Sequence, residues 1–91
     1  MIEYEVIKRR MEDDFSEPKD CSDIRALMMR GGDVFLKGQI CDMIKTGWYH
    51  FFVFNGSRQL DLVCAVRGQE HYVRTVLDDT SKDNLLSLPK F

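Results

Sequence analysis

The stretch from Trp48 to Leu77 fixes most of what this chain can become. It holds three runs, WYHFFVF, QLDLVCAV and HYVRTVL, each crowded with aromatic and β-branched residues. Asn55-Gly56 and Gly68-Gln69 separate them, and each break carries a residue that tolerates positive φ. Runs of this kind predict three β-strands. Loops so short force neighbouring strands antiparallel, so a meander is expected.

Alternation sorts the meander into two faces. With an even number of loop residues in the first hairpin, one face carries Tyr49, Phe51, Val53, Leu60, Leu62, Cys64, Val66, His71, Val73, Thr75 and Leu77. It is nearly all apolar and is the expected core. The opposite face carries Trp48, His50, Phe52, Phe54, Asp61, Val63, Ala65, Arg67, Tyr72, Arg74 and Val76. A face left to water should be polar, yet large rings dominate here. Two readings follow. Either another part of the chain covers this side, or part of it is a contact surface, because aromatic residues with arginine at their edge describe interface hot spots.

Before the meander the period changes. Leu36, Ile40, Met43 and Ile44 fall on one stripe, predicting a helix over 36–46 with Lys37, Gln39, Asp42 and Lys45 facing outward. Gly47 then sits where a left-handed C-cap belongs. Residues 2–8 alternate, with Ile2, Tyr4 and Val6 on one side and Glu3 and Glu5 on the other, which predicts a first strand. The acidic segment MEDDFSEPKD reads as a surface loop with Phe15 turned to the body. Ser22-Asp23 could cap a helix carrying Ile24, Leu27 and Met28. Ile24, Ala26 and Met28 also alternate as a strand returning beside the first, and the strand is preferred because the first strand needs a partner.

In the tail DDTSKDNLLSLPKF, Asp83 or Asn84 can cap one helical turn bearing Leu85, Leu86 and Leu88, stopped by Pro89. The expected fold is therefore α+β. An antiparallel sheet of four to five strands carries one main helix on one face and a leucine-rich C-terminal hook, and residues 1–91 form a single small domain.

Composition narrows the function classes. A formal net charge of −2 and a sequence pI of about 5.6 disfavour a protein that lives on duplex DNA, though a local basic strip stays open. The three cysteines, Cys21, Cys41 and Cys64, are far apart, and the only histidines are His50 and His71. This spacing matches no zinc module, and the expectation is reduced, mostly buried thiols in a cytoplasmic protein. MIEYEVIKRR has no apolar leader segment, and no run reaches membrane-spanning length. No G-x-S-x-G, phosphate loop or H-E-x-x-H occurs, so no catalytic residue is assigned and no enzyme is expected.

His71 with Thr75 or Cys64 could be drawn as a dyad, but all three fall on the expected core face. His50 and Asp61 read as a cross-strand polar pair. Asp13, Asp14, Asp78, Asp79 and Asp83 fit no calcium loop, so neither a metal nor a cofactor is expected.

The ending HYVRTVLDDTSKDNLLSLPKF, a tyrosine–valine–basic–threonine strand, an Asp-bearing turn and DNLL-x-LP, resembles the domain-of-unknown-function 3892 family of short bacterial and phage proteins. IKTGWY is similar to that family's helix–glycine–strand junction. The resemblance spans residues 36–91, more weakly 2–35, and implies a shared architecture. Tyr72, Thr75, Asp83, Asn84, Leu85, Leu86, Leu88 and Pro89 match the motif, and Phe91 stands where the family often has Cys. The motif reads as a lock of tail on sheet, with a ligand pocket near Asp78 and Asn84 as the alternative.

Taken together, these features predict a non-enzymatic binding module, an inhibitor or adaptor of a larger assembly. It would dock another protein through Trp48, His50, Phe52, Phe54, Arg67, Tyr72 and Arg74, with a homodimer as a further possibility at an exposed sheet edge. The alternative is a binder of single-stranded nucleic acid or nucleotide that uses Tyr72, Trp48, Arg67 and Arg74.

Overall fold

The computed structural model describes residues 1–12, 21–76 and 84–91. Its elements in order are β1 (Ile2–Met11), a 3-10 turn (Cys21–Asp23), β2 (Ile24–Met29), β3 (Val34–Leu36), α1 (Lys37–Thr46), β4 (Tyr49–Asn55), β5 (Arg58–Arg67), β6 (Glu70–Thr75) and a second 3-10 turn (Asn84–Ser87). The acidic loop with Phe15, and the positions Leu77, Asp78, Asp79 and Asp83, lie outside the described residues.

The meander forms as its sequence dictates. Gly56 at φ 63° leads a two-residue turn that pairs Asn55 with Arg58, and Gly68 at φ 62° leads the turn that pairs Arg67 with Glu70. Glycine at the first of two loop positions gives the backbone twist that a tight hairpin needs. Residues 24–29 are a strand, antiparallel to β1, and β3 is antiparallel to β2.

These pieces make one six-stranded sheet in the order β3-β2-β1-β4-β5-β6. The expectation of four to five antiparallel strands is corrected in two ways. β3 adds an edge strand of three residues, too short to show a period. At the centre, Ile2–Glu5 of β1 pair in parallel with Tyr49–Phe52 of β4. The sheet is thus two antiparallel three-stranded units joined along a parallel seam.

Rings close that seam on one side. Tyr4 stacks on Phe51 at 5.3 Å between centroids, and Phe35 meets Tyr4 edge-on at 5.3 Å and Phe51 at 6.1 Å. Each such pair contributes about 0.5–1.5 kcal/mol beyond its buried area. Around them Val6, Leu27, Met29, Ile40, Phe51, Val53, Leu60, Leu62, Val73 and Leu85 form one buried cluster. The expected core face is present, with two exceptions: Val66 and His71 are exposed. The ten residues of α1 span only about 15 Å and leave that end of β5 and β6 open.

α1 starts where the Gln39 Oε1 accepts a hydrogen bond from the Leu36 N–H at 2.9 Å, and it ends at Gly47, left-handed at φ 78°. Lys37 does not point outward as expected. Its ammonium is half-buried among the Glu12 carboxylate (3.2 Å), the Glu70 carboxylate and the Ser22 carbonyl (3.1 Å). The expectation of reduced thiols is also corrected. α1 lies across β5, so Cys41 and Cys64, 23 residues apart in sequence, sit with Cα atoms 5.1 Å apart and are disulfide-bonded. Cys21 is buried outside that bond.

The tail closes the structure. β4 pairs with β1 only as far as Glu5, and the C-terminal segment takes the edge beyond it. Arg9 N–H donates to the Pro89 carbonyl at 2.9 Å and Phe91 N–H to the Arg9 carbonyl at 3.1 Å. The buried Arg9 side chain donates from Nε to the Leu86 carbonyl at 3.0 Å. Leu85 is fully buried, with Leu86 and Leu88 packed against the core, while Asn55 Nδ2 donates to Asn84 Oδ1 at 2.9 Å. Burial of Leu85 alone stabilises the hook by about 1.5–3 kcal/mol.

Candidate interaction face

Even-numbered positions of β4 point away from α1. His50, Phe52 and Phe54 run along the strand as a ladder of rings, 5.7 Å and 5.6 Å between successive centroids. Trp48 stands just before the strand and is 70% exposed, and Phe54 at the other end is 44% exposed. At about 3.3 Å per residue these two rings lie near 20 Å apart, so they bracket a row rather than form one patch.

Carboxylates line the row. His50 donates from Nε2 to Asp61 Oδ1 at 2.7 Å, and its Nδ1 lies 3.8 Å from Glu3 Oε1. The cross-strand pair expected for His50 and Asp61 is therefore present, and Glu3 on the parallel neighbour adds a second acid. Glu5 opposes Phe52 and is held by the Arg30 guanidinium in a two-pronged contact of 2.9 Å and 2.8 Å. That hydrogen bond, helped by the Arg30 charge, holds the Glu5 carboxyl below the usual carboxylate range against the opposing effect of burial. A shallow groove beside Phe52 is lined by Glu3, Glu5, Met29, Arg30 and Asp33.

The remaining three candidates stand apart from this row. Tyr72 is only 6% exposed and belongs to the core cluster. The Arg67 guanidinium sits 5.7 Å over the Tyr72 ring and its Nη1 reaches Ser22 Oγ at 3.4 Å. Arg74 is half-buried and donates to the Thr75 carbonyl at 3.2 Å. Geometry thus brings together Trp48, His50, Phe52 and Phe54 along β4, but turns Tyr72 inward and commits both arginines to the protein. Sequence reading missed Glu3, Glu5 and Arg30. Their signal was the Ile2/Glu3/Tyr4/Glu5 alternation, which gives a face but not the neighbour beside it.

A family model described as "Protein of unknown function (DUF3892)" matches residues 5–89. The chain belongs to this family. No curated protein and no solved structure matches it. The DUF3892 match runs from Glu5 in β1 to Pro89, so the row on β4 and the leucine hook lie inside it, whereas of the β1 half of the seam only Glu5 does. Within the DUF3892 tail motif, Thr75 and Leu85 are fully buried and Asn84 is tied to Asn55. Phe91 lies under the Arg10 guanidinium, 4.6 Å from its centroid.

Proposed function

We propose that the chain is a non-enzymatic protein-interaction module, an adaptor or inhibitor of a larger bacterial or phage assembly, working in the cytoplasm. The supporting observation is the exposed row Trp48–His50–Phe52–Phe54, on the sheet face that α1 and the leucine hook do not use. Large rings with limited rotamer freedom are the side chains that dominate protein contacts, at about 2 kcal/mol or more for a well-packed anchor.

The lining selects the partner's chemistry. Glu3 and Asp61 place negative charge beside the rings, while Glu5 is paired with Arg30; this suits a segment mixing lysine or arginine with apolar residues better than a phosphate backbone. The arginines that a nucleic-acid platform would need, Arg67 and Arg74, contact the protein's own groups. No helix among the described residues is long and apolar enough to cross a membrane.

The chain has a single tryptophan, so Trp48 fluorescence reads the face directly. The wild-type chain should capture a host protein whose addition shifts Trp48 emission to the blue. The W48S/F54S double variant should lose that capture while unfolding with the same cooperativity. Equal capture by the variant overturns the assignment of the face, and loss of its fold shows that the rings are core. Binding to an oligonucleotide that collapses as salt rises would favour the nucleic-acid reading instead.

A further inference from the structure

Cys41, Cys64 and His71 bring their sulfur and nitrogen atoms within 4.8 Å of one another, a group that sequence spacing hid. Its parts are unequal. Cys41 is 1% exposed, whereas Cys64 is half-buried and looks toward the open end of the sheet where Val66 and His71 are exposed. His71 Nδ1 lies 3.9 Å from Cys64 Sγ, and Lys45 Nζ lies 3.4 Å from that nitrogen. An imidazole therefore sits where negative charge would develop on Cys64, with an ammonium at one remove through its Nδ1 contact. Cys41 has a different neighbour: its Sγ is 3.4 Å from the Tyr72 carbonyl, an acceptor for an S–H that exists only once the disulfide is open. Each sulfur has a prepared partner in the reduced state, and only one of them faces solvent.

We infer that Cys41 and Cys64 form a reversible dithiol–disulfide site in which Cys64 is the sulfur that exchanges with an external dithiol. The external thiolate attacks Cys64 Sγ, forming a mixed disulfide and breaking the Cys41–Cys64 bond. The electron pair leaves on Cys41, which takes up the proton that the reductant's first thiol gave up and, as an S–H, donates a hydrogen bond to the Tyr72 carbonyl. The second thiol of the reductant then attacks its partner sulfur, and the proton it gives up passes by way of the His71 imidazole to the departing Cys64 sulfur. Two electrons and two protons pass to the protein, and the dithiol becomes a disulfide. Oxidation by an external disulfide runs the same steps backward, with Cys64 as nucleophile. In-line attack needs access along the S–S axis, and of the two cysteines Cys41 is buried whereas Cys64 is half-buried.

The test uses the full chain with EDTA present, dithiothreitol as reductant, oxidised glutathione as oxidant, and alkylation with mass spectrometry as the readout. Two thiols should appear and vanish together through repeated cycles, while Cys21, buried, stays unalkylated until the protein is denatured. The C41S variant should form a glutathione mixed disulfide at Cys64, and C64S should form one at Cys41 about tenfold more slowly or worse, because access sets the rate. H71A, at an exposed position, should slow reduction about tenfold while leaving the dithiol–disulfide equilibrium near its wild-type value, a split between rate and equilibrium that a merely structural role would not produce. If either serine variant fails to fold, acid quenching of the wild-type reaction and peptide mapping locate the mixed disulfide instead. Three thiols that survive oxidised glutathione, a mixed disulfide mapped to Cys41 in the wild-type chain, C64S reacting as fast as C41S, or an H71A rate equal to wild type would each overturn the assignment. So would protection of the cysteines by added zinc, with EDTA omitted, but not by oxidant, since the group would then be a metal site.

Discussion

Reducing the Cys41–Cys64 bond perturbs this protein without changing any side chain's volume, so its cost can be worked from the fold. The bond closes a loop across 23 residues of separation. In the chain-entropy model, cross-linking over that span removes enough freedom from the unfolded chain to stabilise the native state by about 3.4 kcal/mol at 25 °C. For a domain of this length that corresponds to roughly 14–27 °C in melting temperature. α1 has ten residues, below the length at which a helix persists alone, so tethering and packing hold it on the sheet. The assay is urea unfolding followed by circular dichroism, with and without a phosphine reductant, and thiol counting to confirm each state. Reduced protein should unfold at lower urea, with a steeper dependence on denaturant because its unfolded chain is more open. Curves for the two states that differ by less than about 1 kcal/mol would refute the entropic reasoning.

Other expected outcomes follow from single contacts. Leu85→Ala removes a fully buried side chain from the hook and should cost about 2–5 kcal/mol in the same unfolding assay. Gly47→Ala meets no atom within 4 Å, so its cost, about 1 kcal/mol, should come from the left-handed backbone alone. Lys37 is partly desolvated, which would lower its pKa, but hydrogen bonds to Glu70 and Glu12 outweigh this and raise it. Its contribution is thus complete below the ordinary lysine value of about 10.4 and is lost as pH rises through the higher folded value. K37M should cost about 1–2 kcal/mol at neutral pH and flatten that alkaline decline. Glu5 has the opposite sign. Its contribution is present above about 4.3 and is lost as pH falls through its lowered folded value, so E5Q should soften the acid limb of a stability–pH profile.

The parts of this fold encoded by neighbouring residues were legible, and those encoded by distant ones were not. Gly56 and Gly68 mark their own turns, and the Leu36–Ile44 stripe marks its own helix, because the relevant contacts lie within a few residues. Val34–Leu36 is a strand only because β2 lies beside it. Nothing local in Ile2–Glu5 or Tyr49–Phe52 names the other as a parallel partner, so the seam was invisible, and with it the acids beside the ring row. Alternation placed Tyr72 on the outer face by parity, yet β6 is an edge strand, where Arg67 covers the ring and burial departs from parity. For the candidate site, the rings of β4 were found by their period. Cys64 and His71 were placed on one face by parity across the β5–β6 hairpin, but Cys41 was not joined to them, because only the docking of α1 across β5 and β6 brings it there.

The arrangement around β1 also dictates an order of assembly. β1 can zip to β2 and β3 as soon as those residues exist, but its opposite flank is filled by β4 along one half and by Pro89–Phe91 along the other. A nascent chain on the ribosome therefore carries an unsealed strand, backbone groups bare, until residues 84–91 have been synthesised. Until that final clasp shuts, the growing polypeptide is most exposed to proteases and to mispairing with a neighbouring copy.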